Sequence, residues 1–416
     1  MSLLSNSFRT VARAGSGIGL RGRPFIQSVV LVSLTVMTLL TISAHAAPTF
    51  VIRKGVNLNT PFMAAESSED KENRLKNADK LHAILQRIAA AKFDAIRLDI
   101  EPLILIKSTP GQRADLLKQI REFTDWATQA KLRTIVDIHV QWRDWQHLSP
   151  DAAAKTPLFS DYLSVVREVA QSLSNANPAQ VAMELFNEPQ FSCAPNDARA
   201  WNELNRKIFH EARSHAPSLY ILVAGACWDK IEGLLQVKAA DFDDHTLFTF
   251  HFYEPDTFTA AGEPWSSGPE HYFPDLPFPP DGKGESAQIQ SFRQSLQAQN
   301  KQVAGSVSSD GEKKLHDYFS QSDWTRLINS RFDLVSKWAA SNAVSADRII
   351  VGEFGAYRGD PAHEAHRKSA RLKYLKTVFN TAEKHRFGAL IWEYFGVMGI
   401  TQSDENSPID EEIASW

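Results

Sequence analysis

The sequence predicts a single (β/α)8 TIM barrel with a long loop insertion after the sixth strand, and two observations carry that expectation. The first is a pair of apolar runs that stop at a carboxylate: Val181 to Gln190, VAMELFNEPQ, delivers Asn187 and Glu188, and Arg348 to Gly355, RIIVGEFG, delivers Glu353. Pro189 cannot donate to a ladder and biases Glu188 toward extended backbone, so the strand should stop there with its polar pair facing a cleft. Two such glutamates, far apart in sequence, meet only if the fold gathers its strand ends on one face, as a (β/α)8 barrel does. The second observation is an alternation of apolar runs with helical periods along the chain, the pattern of repeated βα units and a parallel sheet.

The elements follow in order. The first 46 residues read as an export signal. Arg9, Arg13, Arg21 and Arg23 precede an apolar segment from Val29 to Ile42, and Ala44-His45-Ala46 forms a small-x-small cleavage site. The segment is short for a membrane span, and the leader before it is longer than usual, so the alternatives to cleavage are a misassigned translation start and a segment retained as an anchor. The mature chain, residues 47–416, is expected to be a secreted or periplasmic catalytic domain, monomeric and without stable membrane association.

Strands are expected at Val51 to Asn57, Phe93 to Asp99, Arg133 to His139 and the Val181 run, then at Leu219 to Ala224, Thr246 to Phe252, Arg348 to Glu353 and Gly388 to Tyr394. Helices are expected at Asn77 to Ala91, Arg113 to Ala130, Leu158 to Leu173, Asp197 to His215, Asp323 to Ala340 and Ala362 to Lys384. In the first of these, Leu81, Ile84, Leu85 and Ile88 share one face. From about 256 to 317 the chain is rich in Pro, Gly, Ser and aromatics, so this segment reads as a loop overhanging the catalytic face.

Of the 416 residues, 43% are hydrophobic, 23% charged and 10% aromatic, enough apolar material for a large buried core. The net charge of −4 leaves no basic footprint, which argues against a nucleic-acid partner. Export makes the two cysteines, Cys193 and Cys227, a candidate disulfide, since both lie just beyond consecutive strands. They make a weak zinc site, with no His at ligand spacing.

The strand ends carry the chemistry. Arg97 is read as ending the second strand, His139 the third, Asn187 and Glu188 the fourth, His251 and Tyr253 the sixth, Glu353 the seventh and Trp392 the eighth. Two carboxyl groups are what glycoside hydrolysis needs, one protonated to assist departure and one ionised to attack or to activate water. A cation and a hydroxyl, Arg97 and Tyr253, can hold one glutamate ionised, while burial raises the pKa of the other. Trp142, Trp145, Trp228 and Trp265 follow strands and are candidate sugar platforms.

These residues, in this order, resemble glycoside hydrolase family 5, the cellulase and mannanase family. The resemblance runs from Arg53-Lys54-Gly55-Val56-Asn57-Leu58 to Ile391-Trp392-Glu393-Tyr394. Its motifs appear as AIRLDI with Arg97, VDIH with His139, ELFNEP with Asn187 and Glu188, FHFYEP with His251 and Tyr253, VGEFG with Glu353 and LIWEY with Trp392. The resemblance implies a retaining double displacement with Glu353 as nucleophile and Glu188 as acid/base. Asn187 would bind the 2-hydroxyl, Trp392 would lie beneath the sugar, and no metal or cofactor would be needed. The implied substrate is a β-linked glycan, with β-1,4-glucan first. Mannanase, exo-acting β-glucan hydrolase and transglycosylase share the same site residues. A catalytically silent sugar-binding protein is a reading from another class, and a metal hydrolase built on Asp137, His139 and His251 a further one.

Overall fold

Eight parallel strands close into a barrel in chain order in a computed structural model, which describes residues 49–63, 74–141, 157–298, 305–321, 323–359, 364–401 and 404–416. The strands are β1 (Lys54–Leu58), β2 (Ala95–Ile100), β3 (Arg133–Ile138), β4 (Val181–Glu184), β5 (Tyr220–Ala224), β6 (Thr246–His251), β7 (Ile349–Phe354) and β8 (Gly388–Ile391). β8 closes on β1 with Val56 opposite Ile391. Nearly every strand residue is buried, because helices cover the outside and side chains fill the inside, so the runs are continuously apolar rather than alternating.

The barrel interior is layered. Phe50, Ile52, Ala95, Ile135, Ala182, Tyr220, Leu222, Leu247, Ile350 and Leu390 fill its N-terminal end as a separate apolar cluster. Two residues further along, the same strand faces carry Arg97, Asp137, Glu184 and Thr249, and two further still Asp99, His139 and His251. A strand's period of two therefore carries each inward face from an apolar floor to a polar top.

Three helices, those that open on Pro110, Pro157 and Pro195, start earlier than periodicity places them, for local reasons. Pro110–Gln129 begins three residues before Arg113 because the Thr109 and Gln112 side chains cap it reciprocally and Pro110 occupies its first turn. Pro195–His215 likewise starts on a proline.

The segment after β6 differs from the sequence expectation of an extended loop. Short helical turns at Asp256–Thr259 and Pro269–Tyr272 lead into two helices, Glu285–Ala298 and Gly305–Ser320, which pack on each other. Phe292 reaches into Gly311, where a Cβ would stand 2.2 Å from its ring, and the Tyr318 hydroxyl donates to Pro277 O at 2.5 Å. Averaged composition over the segment hid two runs of ordinary helix formers.

Among the described residues no helix is long and apolar enough to cross a membrane. The apolar segment from Val29 to Ile42 lies outside the described residues, as do Trp142 and Trp145.

Candidate active site

Arg97 is the centre of the site. Contrary to the sequence reading it does not end β2 but lies inside it, opposite Asn57 and Ile135, fully buried in the polar layer that sits on the apolar one and forms the floor of the site. Its five N–H groups meet five acceptors. Nε donates to Glu184 Oε2 (2.7 Å), Nη1 to Asn57 Oδ1 and Glu353 Oε1 (2.9 Å each), and Nη2 to Glu184 Oε1 and Asn187 Oδ1 (2.9 Å each). Asp137 Oδ2 stands 3.0 Å from Nη2 and Asp99 Oδ1 3.6 Å from Nη1.

The remaining predicted residues gather above this floor. Asn187 and Glu188 lie three and four residues beyond the end of β4, and Glu188 has a positive φ of 44°. His139 and Trp392 each follow directly on a strand, and their rings stack at 5.5 Å with 13° between planes. His139 Nδ1 is 2.7 Å from Asp137 Oδ2, and its Nε2 is 3.4 Å from Asn187 Nδ2. Glu353, the penultimate residue of β7, accepts from Tyr253 Oη at 2.7 Å as well as from Arg97. His251 stands between the two glutamates, its Nδ1 3.0 Å from Glu188 Oε1 and 3.5 Å from Glu353 Oε2. Glu188, Glu353 and His251 each place a polar atom within 4.8 Å of the others.

A cleft of about 720 Å³ opens over this cluster, lined by His139, Asn187, Glu188 and Trp392 and running toward Asn59, Arg74, Lys80 and Glu405 on the β1 and β8 side. Trp228 and Trp265 do not line it. They stand 43% and 51% exposed on the surface, Trp228 beside Pro189 through a backbone hydrogen bond and Trp265 edge-on to Tyr357. Cys193 and Cys227 are bonded to each other, with Cα atoms 4.7 Å apart.

More carboxylates than Arg97 can neutralise share the floor, and burial decides their protonation. Burial raises the pKa of Asp99 strongly and of Glu184, and pushes Asp137 up to about 7, in each case against the opposing pull of Arg97. Burial also opposes the charge on Arg97, but Asp137, Glu184 and Glu353 outweigh it and hold the guanidinium ionised. Burial raises Glu188 too, with His139 and Arg97 pulling the other way. A third of its side chain (34%) meets the cleft, which tempers that rise. Burial lowers both His139 and His251 to about 4, so both rings are neutral near pH 7.

Among the described residues, three groups of side chains could offer donors to a metal: Asp99, Asp137 and His139; Glu184, Asp229 and His251; and Glu188, His251 and Glu353. Each contains a carboxylate that lies 2.7–3.6 Å from the Arg97 guanidinium.

Asn57, Glu184 and Asp229 were not singled out in the sequence reading, and Asp99 was read there only as a departure from the family pattern with no catalytic role. Glu184 and Asp99 left one trace, an acid in an otherwise apolar strand. Asn57 and Asp229 left none.

A barrel that sets two glutamates, one just beyond β4 and one on β7, side by side at a cleft lined by Trp392 fits the glycoside-hydrolase class of (β/α)8 proteins. The family description Cellulase (glycosyl hydrolase family 5) matches residues 59–395, and the chain belongs to that family. Among curated relatives, Endoglucanase 3 of Fibrobacter succinogenes is 24% identical over 285 residues, covering 68% of this chain but only 39% of its own length. Endoglucanase C of Acetivibrio thermocellus is 21% identical over 343 residues, covering 80% of this chain and 88% of the relative. Among solved structures, an endoglucanase (22% identity, TM-score 0.61) and Thermotoga maritima Cel5A in complex with mannotriose (18%, 0.61) share the fold. Each covers 88% of this chain, with 96% and 97% of their own chains matched.

Proposed function

We propose that the chain is a retaining β-glycoside hydrolase acting on β-linked glucan, with β-1,4-glucan as the substrate. The observation that carries the reading is the spacing of the two glutamates. One carboxylate oxygen of Glu188 lies within 4.8 Å of one of Glu353, a close approach that favours the short carboxyl spacing of retaining enzymes over the wider spacing of inverting ones.

In this mechanism Glu353, oriented by Arg97 and Tyr253, attacks the anomeric carbon to form a glycosyl ester. Glu188 gives its proton to the departing glycosidic oxygen, then takes a proton from the water that hydrolyses the ester. Asn187 Oδ1 is held by Arg97 at 2.9 Å and its Nδ2 lies 3.4 Å from His139 Nε2, so one amide hydrogen is left to offer the sugar 2-hydroxyl. Trp392, fixed against His139, offers its face to the pyranose. Residues 47–416 form the catalytic domain, exported to the periplasm or outside the cell as a monomer after loss of residues 1–46.

A second reading, β-mannan or xyloglucan as substrate, has support from solved relatives whose titles name mannotriose and a family 5 xyloglucanase from Paenibacillus pabuli. The test is hydrolysis of β-1,4-glucan, β-1,3-glucan, mixed-linkage glucan, mannan and xyloglucan, with product anomers followed by NMR and Glu353→Gln and Glu188→Ala run alongside. Retained anomers and loss of turnover in both variants are expected. Inverted products would overturn the mechanism, and glycan binding without cleavage would favour a sugar-binding protein.

A further inference from the structure

His251 is fully buried between two carboxylates on one side and a third on the other. Its Nδ1 faces Glu188 and Glu353, while its Nε2 lies 3.5 Å from Asp229 Oδ2. Among the described residues neither Nε2 nor Oδ2 has a hydrogen-bond partner. The other Asp229 oxygen, Oδ1, accepts the Gly225 N–H at 3.2 Å, and the Asp229 carbonyl accepts the His251 N–H at 2.8 Å.

The backbone is bent to make this meeting. Cys227, Trp228 and Asp229 all have positive φ (67°, 54° and 55°), a run of left-handed residues that L side chains rarely adopt. The Cys193–Cys227 disulfide ties down the start of the turn. One turn thereby exposes Trp228 and buries Asp229 completely beneath His251.

The proton positions follow from the donors available. A neutral imidazole carries one N–H. On Nδ1 that proton serves Glu188 and Glu353, two acceptors. On Nε2 it would leave both glutamates facing a lone pair.

We propose that Asp229 is a positioning residue that acts as a neutral carboxylic acid, donating its Oδ2 proton to His251 Nε2 and so fixing the imidazole proton on Nδ1, between the two glutamates. This deepens the proposed function and rests on it. With Nδ1–H fixed, Glu353 keeps a donor while it attacks, and Glu188 keeps one when it is the ionised base awaiting water. The charged groups facing His251 are Glu188, Glu353, Asp229 and Glu184, with Arg97 as the cation and His139 as a further imidazole. Burial, reinforced by the Glu184 and Glu188 carboxylates, raises the pKa of Asp229 strongly, which keeps its proton in place.

The discriminating variant is Asp229→Asn, whose amide donates to Nε2 and accepts from Gly225 as a neutral acid does, but can never be an anion. Turnover of a β-1,4-glucan oligosaccharide would be compared for the unaltered chain, Asp229→Asn and Asp229→Ala. The His251 tautomer would be read by nitrogen NMR of histidine-labelled protein, with a His251→Gln sample for assignment. Expected are kcat within about threefold for Asp229→Asn, a fall of roughly 10- to 100-fold for Asp229→Ala with little change in KM, and a protonated Nδ1 with bare Nε2 in the first two proteins.

An Asp229→Asn loss as deep as that of Asp229→Ala, or a protonated Nε2 in the unaltered chain, overturns the proposal, since either means that Asp229 works as an anion. Should Asp229→Ala fail to fold, the NMR comparison of the other two decides. Failure of the unaltered chain on every glycan would sink the proposed function while leaving the tautomer result readable.

Discussion

Replacing Arg97 by lysine keeps the positive charge and removes the geometry, which makes it the most direct test of how the site is held. The guanidinium satisfies five buried acceptor positions on Asn57, Glu184, Asn187 and Glu353. A lysine ammonium has three donors on one nitrogen, so at least two acceptors lose their partner. At about 1–3 kcal/mol for each buried group left unsatisfied, the loss is roughly 2–6 kcal/mol, a large share of the ~5–15 kcal/mol by which domains are stable. At about 2 °C per kcal/mol for a domain of this size, Tm should fall by roughly 4–12 °C. Turnover should fall further than stability implies, on the order of 100-fold, because Glu353 and Asn187 both lose the group that aims them. Differential scanning calorimetry and kcat on whichever glucan is cleaved give the two numbers. A Tm within about 1 °C and kcat within about threefold of the parent would refute the claim that hydrogen-bond geometry, rather than charge alone, organises the floor.

Three further outcomes are expected. Gly352→Ala places a Cβ 2.5 Å from Thr249 Oγ1 and 3.1 Å from His251 Nε2. His251 should be displaced, with about 1–3 kcal/mol lost by overpacking and kcat down by about tenfold or more; unchanged kinetics would mean that the ring tolerates a shift. Breaking the disulfide by Cys193→Ser frees a loop of 34 residues, worth about 3–4 kcal/mol in chain entropy, and denaturant titration of the variant should show that loss together with reduced kcat as the left-handed turn relaxes. Burial pushes Glu263 up to about 7, from 4.5 for a free side chain. Its folded-state pKa is raised, so its contribution is fully present below about pH 4.5 and is lost as pH rises through about 7. Glu263→Gln should therefore gain Tm relative to the parent between pH 5 and pH 8, and parallel Tm profiles would show that the carboxyl is not buried in solution.

Sequence alone determined the barrel, because a parallel strand covered on both faces must read as an apolar run and eight of them alternated with amphipathic periods. It also marked Glu188, Glu353, His139, His251 and Trp392, because a polar group at the end of such a run has no packing reason to be there. Tertiary structure decided what these residues meet. Arg97 reads as a rim cation in one dimension, yet it is a floor residue whose partners come from β1, β3, β4, β7 and the turn beyond β4, and no local pattern encodes a contact assembled from strands so far apart in the chain. Asp229 was invisible for a related reason. It reaches His251 only through three successive left-handed residues, a backbone course that side-chain periodicity does not report and that the surrounding fold imposes. The helices after β6 were hidden by averaging over a segment whose first half is rich in Pro and Gly. Local order in the chain thus set the elements and their sequence, while closure of the barrel set which charges must share protons.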